Sequence, residues 1–167
     1  MAQRAQTVRT GVSTQEPTWP TRMTTASAPD TGERPRTIRV PWAPSAVAKT
    51  RRVLVADLDA RGVASETVGE AEIVVSELIA NALRHARPLA DGMIRVHWKA
   101  KAGVVEVEVS DGGGVSTPRP APQSLWASSG RGLRIVRSLA HEWGVTEERN
   151  GRTVWAALGG PSRRRSH

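Results

Sequence analysis

The 167-residue chain has no cysteine, no tyrosine and no phenylalanine. Without thiols there are no disulfides and no thiolate metal sites, which is compatible with a cytosolic setting. With tryptophan as the only large aromatic, a multi-ring stacking platform for single-stranded nucleic acid is disfavoured. No run of about 18 apolar residues exists, and no apolar segment of the signal-peptide kind opens the chain, so a soluble, unexported protein is expected. Two familiar phosphate fingerprints are also missing: there is no G-x-x-x-x-G-K-[ST], and no G-x-G-x-x-G after a first strand.

What is present begins with charge. The formal net charge is +8, but the arginines are scattered, with one compact run at Arg163 to Arg165. Clustered arginines gain counterion-release free energy on nucleic acid, whereas scattered ones do not make a footprint. Specific nucleic-acid binding is therefore a minor reading, confined to the basic tails. Residues 1 to 36 are rich in Thr, Ala, Pro and Arg without apolar periodicity, and such a segment cannot bury enough surface to offset chain entropy. A disordered tail is expected there, and a second basic one over 159 to 167. One domain should fill residues 37 to 158, a length that suits a single core.

Within that span TIRVPW reads as a short edge strand, and Ser45 as the N-cap of a helix through about Ala60. Thr67 and Glu70 form a T-x-x-E capping box that opens a second helix, stopping near Ala86 ahead of Pro88. MIRVHWK and VVEVEVS alternate apolar and polar residues as two antiparallel strands. A loop around Lys101 to Gly103 places Trp98 opposite Val105, Val96 opposite Val107, Ile94 opposite Val109, His97 facing Glu106 and Arg95 facing Glu108. GRGLRIVRSLAHEW reads as a third helix with Leu133, Val136, Leu139 and Ala140 on one face and Gly144 as its stop. VTEER, Asn150-Gly151 and RTVWAAL read as a closing hairpin. The order of strand, two helices, two strands, helix and two strands defines an α+β sandwich.

Three local features carry chemistry. In SELIANALRHA, Glu77, Asn81 and His85 recur every four residues and form one stripe on a helix. That stripe faces either water or a ligand. A carboxylate there can orient or deprotonate a hydroxyl, and an amide oxygen suits a hard cation. Asp111 ends the second strand of the central hairpin and is followed by Gly112 to Gly114, which fits an ordinary Asp-Gly turn or a carboxylate that accepts from an exocyclic amine. Gly130 and Gly132 open the third helix, whose free N–H groups suit phosphates, with Arg131 or Arg134 adding charge. Each feature alone also has a purely structural reading.

In this order, the three resemble the Bergerat ATP-binding fold shared by gyrase, heat-shock chaperones and sensor histidine kinases, over about Val40 to Leu158. ELIANALRHA is similar to the subgroup of small serine/threonine kinases that act as anti-sigma factors. The resemblance implies a two-layer sandwich: a mixed, mainly antiparallel sheet with three helices on one face. It implies that Glu77 is the catalytic base, Asn81 the Mg²⁺ ligand, and His85 a helix position near the nucleotide. Asp111 would read the adenine amino group with Gly113 backing the base, while Gly130, Arg131, Gly132 and Leu133 would hold the phosphates beneath a lid over about Ser116 to Ser129. The family's D-x-G-x-G departs here to Val115 at its last position.

The implied activity is an ATP- and Mg²⁺-dependent, stand-alone cytoplasmic kinase. It would phosphorylate an anti-anti-sigma partner and sequester a sigma factor, with dimerisation suggested by the family alone. A complete sensor kinase would need a phosphoacceptor His, and residues 1 to 36 contain none. The rival of another class is a non-catalytic, nucleotide-responsive binding protein.

Overall fold

A computed structural model describes residues 34–114 and 130–160. The tails expected to be disordered and the expected lid lie outside the described residues, apart from residues 34–36 and 159–160. The elements run β1 (Arg36–Pro41), α1 (Ser45–Ala60), α2 (Ser65–His85), β2 (Met93–Lys101), β3 (Val104–Asp111), α3 (Gly130–Leu139), β4 (Glu142–Glu148) and β5 (Gly151–Leu158). The strands form one sheet in the order β1-β2-β3-β5-β4. Where the sequence left room for a mixed sheet, all four pairings are antiparallel.

Alternation decides which face is covered. Val40, Ile94, Val96, Trp98, Val105, Val107, Val109, Val154, Ala156 and Leu158 point to one side and are buried. The helices supply Leu54, Leu58, Val74, Val75, Leu78, Ile79, Leu133 and Val136 against them, giving one continuous core. Truncating a side chain such as Leu54 or Leu78 to Ala typically costs about 2–5 kcal/mol, since the cavity left behind relaxes only partly. Arg51 of α1 pairs with Glu72 of α2 at 2.6 Å. Among the described residues no helix is long and apolar enough to cross a membrane.

Asp57 joins α1 to the sheet. Its Oδ2 accepts from the Trp98 indole Nε1 at 2.7 Å and from Arg61 Nε at 2.8 Å, while Oδ1 takes Arg36 at 3.0 Å. The Arg36 guanidinium also lies 5.7 Å above the Trp98 ring, within cation–π range. Burial alone would raise the Asp57 pKa, but the bonds from Trp98, Arg61 and Arg36 outweigh it and hold the carboxyl below its ordinary value.

The central hairpin corrects the expected register. Trp98 faces Val107, Val96 faces Val109, His97 faces Glu108 and Lys99 faces Glu106, with Lys101 opposite Val104. The turn is thus only Ala102-Gly103, both at positive φ (49° and 80°), the geometry that matches strand twist. An alanine does not advertise that conformation, so residue types alone favour the longer loop. Because the slip is two residues, every side chain keeps its expected face.

Four smaller differences have local causes. Pro44 occupies the N-cap position of α1, so Ser45 is the first helical residue, and it caps nothing. The capping box at Thr67 and Glu70 does not form, because α2 begins at Ser65 and Thr67 is buried. The third helix stops at Leu139 rather than near Gly144, which instead sits in β4 opposite Trp155. A Cβ at Gly144 would meet the Trp155 indole at 2.9 Å, so the glycine makes room for the ring. Finally, Glu148 pairs with Gly151, so Arg149-Asn150 turn the last hairpin and Gly151 already belongs to β5.

Candidate nucleotide site

The site is assembled by the C-terminal half of α2, the end of β3 and the start of α3. Asn81 is buried and its Oδ1 has no hydrogen-bond partner. One turn earlier Glu77 is half-buried, and a Cβ added to Gly132 would come 2.8 Å from Glu77 Oε2. The fold therefore brings the glycine opening of α3 against the α2 carboxylate, and only a glycine leaves that carboxylate undisturbed. Leu133 is buried in the core beside it. Gly130 begins α3. The Arg131 side chain lies outside the described ones. His85 is exposed in the last turn of α2, together with Arg84. The stripe Glu77, Asn81, His85 thus runs from the α2–α3 contact out to solvent.

At the other end, Asp111 continues the face of Val105, Val107 and Val109, which turns its carboxylate under the helical layer; it is 1% exposed. Oδ1 accepts from the Gly113 backbone N–H at 2.7 Å, and Oδ2 accepts from Arg152 Nη2 at 3.3 Å. Burial pushes this carboxyl above its ordinary pKa, and Arg152 and the Gly113 bond pull it down without cancelling that. A carboxylate has about four acceptor positions, so two remain for a ligand.

The glycines after Asp111 are stitched to the chain leaving α2. Gly112 N donates to Arg87 O at 2.7 Å, Arg87 N to Gly113 O at 3.0 Å, and Ala86 pairs with Gly114 in an isolated antiparallel bridge. The Arg87 side chain adds a bond to Gly114 O at 2.9 Å. A Cβ at Gly112 would stand 2.2 Å from Pro88 O, so close backbone approach requires glycine there. Gly113 has φ +85° with open space beside its Cα, room for a flat ring against the backbone. The sequence names Gly112 within the run Gly112 to Gly114 but gives a site role to Gly113 alone, because the segment that packs on Gly112 is distant in sequence. Sequence reading missed Arg152, although the alternation of Arg152, Val154 and Ala156 in RTVWAAL carried the signal.

A cavity of about 340 Å³ opens at this end of the sheet, reached by Arg39, Arg95, Ser110 and Thr153. Those positions belong to the helix-free face, but Asp111 and Arg152 line the cavity as well, so it wraps the end of the sheet, and neither Glu77 nor Asn81 lines it. Among the described residues no group of three or more His, Asp or Glu could hold a metal ion. The unpartnered Asn81 Oδ1 nonetheless fits one ligand position of a hard cation whose other ligands are phosphate oxygens and water.

A three-helix layer over an antiparallel sheet, with a buried carboxylate at one strand end and a glycine-led helix facing a second carboxylate, defines a nucleotide-binding ATPase domain. Residues 40–158 match the histidine kinase-like ATPase domain family, and the chain belongs to it. No curated protein matches at a significant level. Among solved structures, the fold resembles the crystal structure of the RsbU and RsbW domains of Rv1364c from Mycobacterium tuberculosis. That likeness has a TM-score of 0.59 at 21% identity and covers 78% of this chain but 34% of the other. The chain therefore corresponds to about a third of that structure.

Proposed function

We propose that the chain is an ATP- and Mg²⁺-dependent protein serine/threonine kinase of the anti-sigma type, with residues 37–158 as its ATP-binding unit. The observation that carries this reading is the approach of Gly132 to Glu77, 2.8 Å from a Cβ position to Oε2, one helical turn from the unpartnered Asn81 Oδ1. In this reading the carboxylate, the cation ligand and the helix N-terminus serve one bound triphosphate. Supporting it are the family membership, the likeness in fold to a chain with an RsbW domain, and the similarity of ELIANALRHA to anti-sigma kinases.

Phosphoryl transfer demands positioning and charge neutralisation more than covalent chemistry from the protein. Backbone N–H groups at Gly130, Arg131 and Gly132 hold the phosphates, aided by the helix dipole. Asn81 supplies an oxygen to Mg²⁺, which neutralises phosphate charge when bound. His85 borders the nucleotide from the last turn of α2. Asp111 accepts from the adenine 6-amino group while Gly113 backs the ring. Glu77 accepts the proton of a partner's Ser or Thr hydroxyl as its oxygen bonds to the γ-phosphorus. The bond to the β–γ bridging oxygen breaks, and ADP leaves. The phosphorylated partner is an anti-anti-sigma protein, and a sigma factor is what the kinase sequesters in the cytoplasm, as a homodimer.

Incubation with labelled ATP and a protein captured from the native cell tests this. Glu77→Ala is expected to keep ATP affinity and to lose about 10²–10⁴ in transfer rate, the range for removing a general base. Normal transfer by that variant removes Glu77 from the mechanism. Capture of a partner that is never phosphorylated by the wild type leaves a passive nucleotide-responsive binder.

A further inference from the structure

Arg152 is the one arginine among the described residues that is buried, at 8% exposure. Its β5 position faces Asp111 directly in the β3–β5 register, on the helix-covered side of the sheet. One terminal nitrogen reaches Asp111 Oδ2, but its Nε–H is buried without a partner. Burying a guanidinium and leaving one of its donors unmet is unfavourable unless something else accepts that bond. Asp111 accepts from Gly113 and from Arg152 and keeps acceptor capacity beside that unmet donor. The unmet donor therefore points to a ligand.

We propose that Arg152 reads the base: beside Asp111 it forms an acceptor–donor pair that takes the Watson–Crick edge of adenine. This rests on the nucleotide-binding reading above and deepens it. A carboxylate only accepts and a guanidinium only donates. Adenine presents a donor at its 6-amino group next to an acceptor at N1, so the amino group meets Asp111 and N1 meets Arg152. Guanine reverses that order, with an oxygen at position 6 and an N–H at position 1, so the same pair rejects GTP. Arg152 thus has two tasks, holding the Asp111 carboxylate in place and donating to the ring itself.

The test is titration calorimetry of the full chain with ATP, 1-deaza-ATP, in which N1 is replaced by C–H, and GTP. The wild type is expected to bind ATP about ten- to a hundredfold tighter than 1-deaza-ATP, the span for one hydrogen bond to a charged group. Arg152→Met, which keeps length but has no donor, is expected to bind ATP and 1-deaza-ATP equally and to narrow the gap between ATP and GTP. Equal affinities in the wild type overturn the proposal without any variant, so a misfolded Arg152→Met does not shelter it. Discrimination that survives in Arg152→Met overturns it too, and tighter ATP binding by that variant makes Arg152 a plug rather than a reader. If the wild type binds none of the three nucleotides, the nucleotide reading itself fails.

Discussion

Two aspartates, one half-buried on α1 and one buried at the end of β3, are perturbed in opposite directions. Asp57 is surrounded by Trp98, Arg61 and Arg36, all donating to it, and its pKa falls. Asp111 is buried more deeply but receives only one backbone N–H and one arginine, and its pKa rises. Both carry arginine partners, so an ion pair by itself does not tell the two roles apart. The distinction is completeness: a carboxylate whose lone pairs are filled by the fold is an anchor, whereas one left with capacity, beside an unmet donor, is poised for a ligand.

Substitutions can break that comparison, starting with the largest effect. Gly112→Ala drives a Cβ into Pro88 O, and backbone on both sides leaves nothing to yield. We expect a loss of about 3 kcal/mol, the upper range for overpacking, together with nucleotide binding, read by denaturant unfolding and calorimetry. Asp57→Ala strips a buried indole N–H and two arginines of their acceptor. About 2–3 kcal/mol of stability should go while ATP affinity stays intact, because Trp98 faces Val107, four residues or about 13 Å along β3 from Asp111. A fall in ATP affinity in Asp57→Ala would erase the distinction between anchor and site.

Asp111→Asn tests the other half. The amide can turn its own donors toward the adenine amino group, so ATP affinity should fall about tenfold or more. Gly132→Ala sharpens the picture at the phosphate end, since its Cβ meets only the flexible tip of Glu77. Thermal stability should hold while phosphoryl transfer drops, as Glu77 is displaced from its position against α3.

The smallest effect is in the pH dependence. With its folded pKa lowered, Asp57 contributes stability that is fully present above its unfolded value of 3.8 and is lost as pH falls through the folded pKa. Asp111 has the opposite sign: its folded pKa is raised, so its contribution is present below 3.8 and is lost as pH rises through the folded value. Acid unfolding curves of Asp57→Asn and Asp111→Asn should therefore deviate from the wild type in opposite senses. Deviations of the same sign would show that the two carboxylates are not distinguished by their surroundings.

Much of this molecule could be read before folding it. Alternation in MIRVHWK and VVEVEVS chose the buried face, and the spacing of Leu133, Val136 and Leu139 chose the inner side of α3. The same alternation could not choose the register, because a slip of two residues leaves the pattern unchanged, and Ala102 hides a turn that asparagine or glycine would have announced. Gly144 looked like a helix stop for a similar reason: its real constraint is the Trp155 ring on a strand that follows it.

Local order along the chain determined the element types, the covered face and the candidate residues at the ends of α2, β3 and α3, because periodicity and glycine chemistry act over a few neighbours. Tertiary structure alone decided that Gly132 abuts Glu77, that Gly112 lies under Pro88, and that Arg152 is sealed beside Asp111 with a donor to spare. Those are contacts between segments dozens of residues apart. Their geometry depends on strand register and helix packing, which no short stretch of sequence encodes.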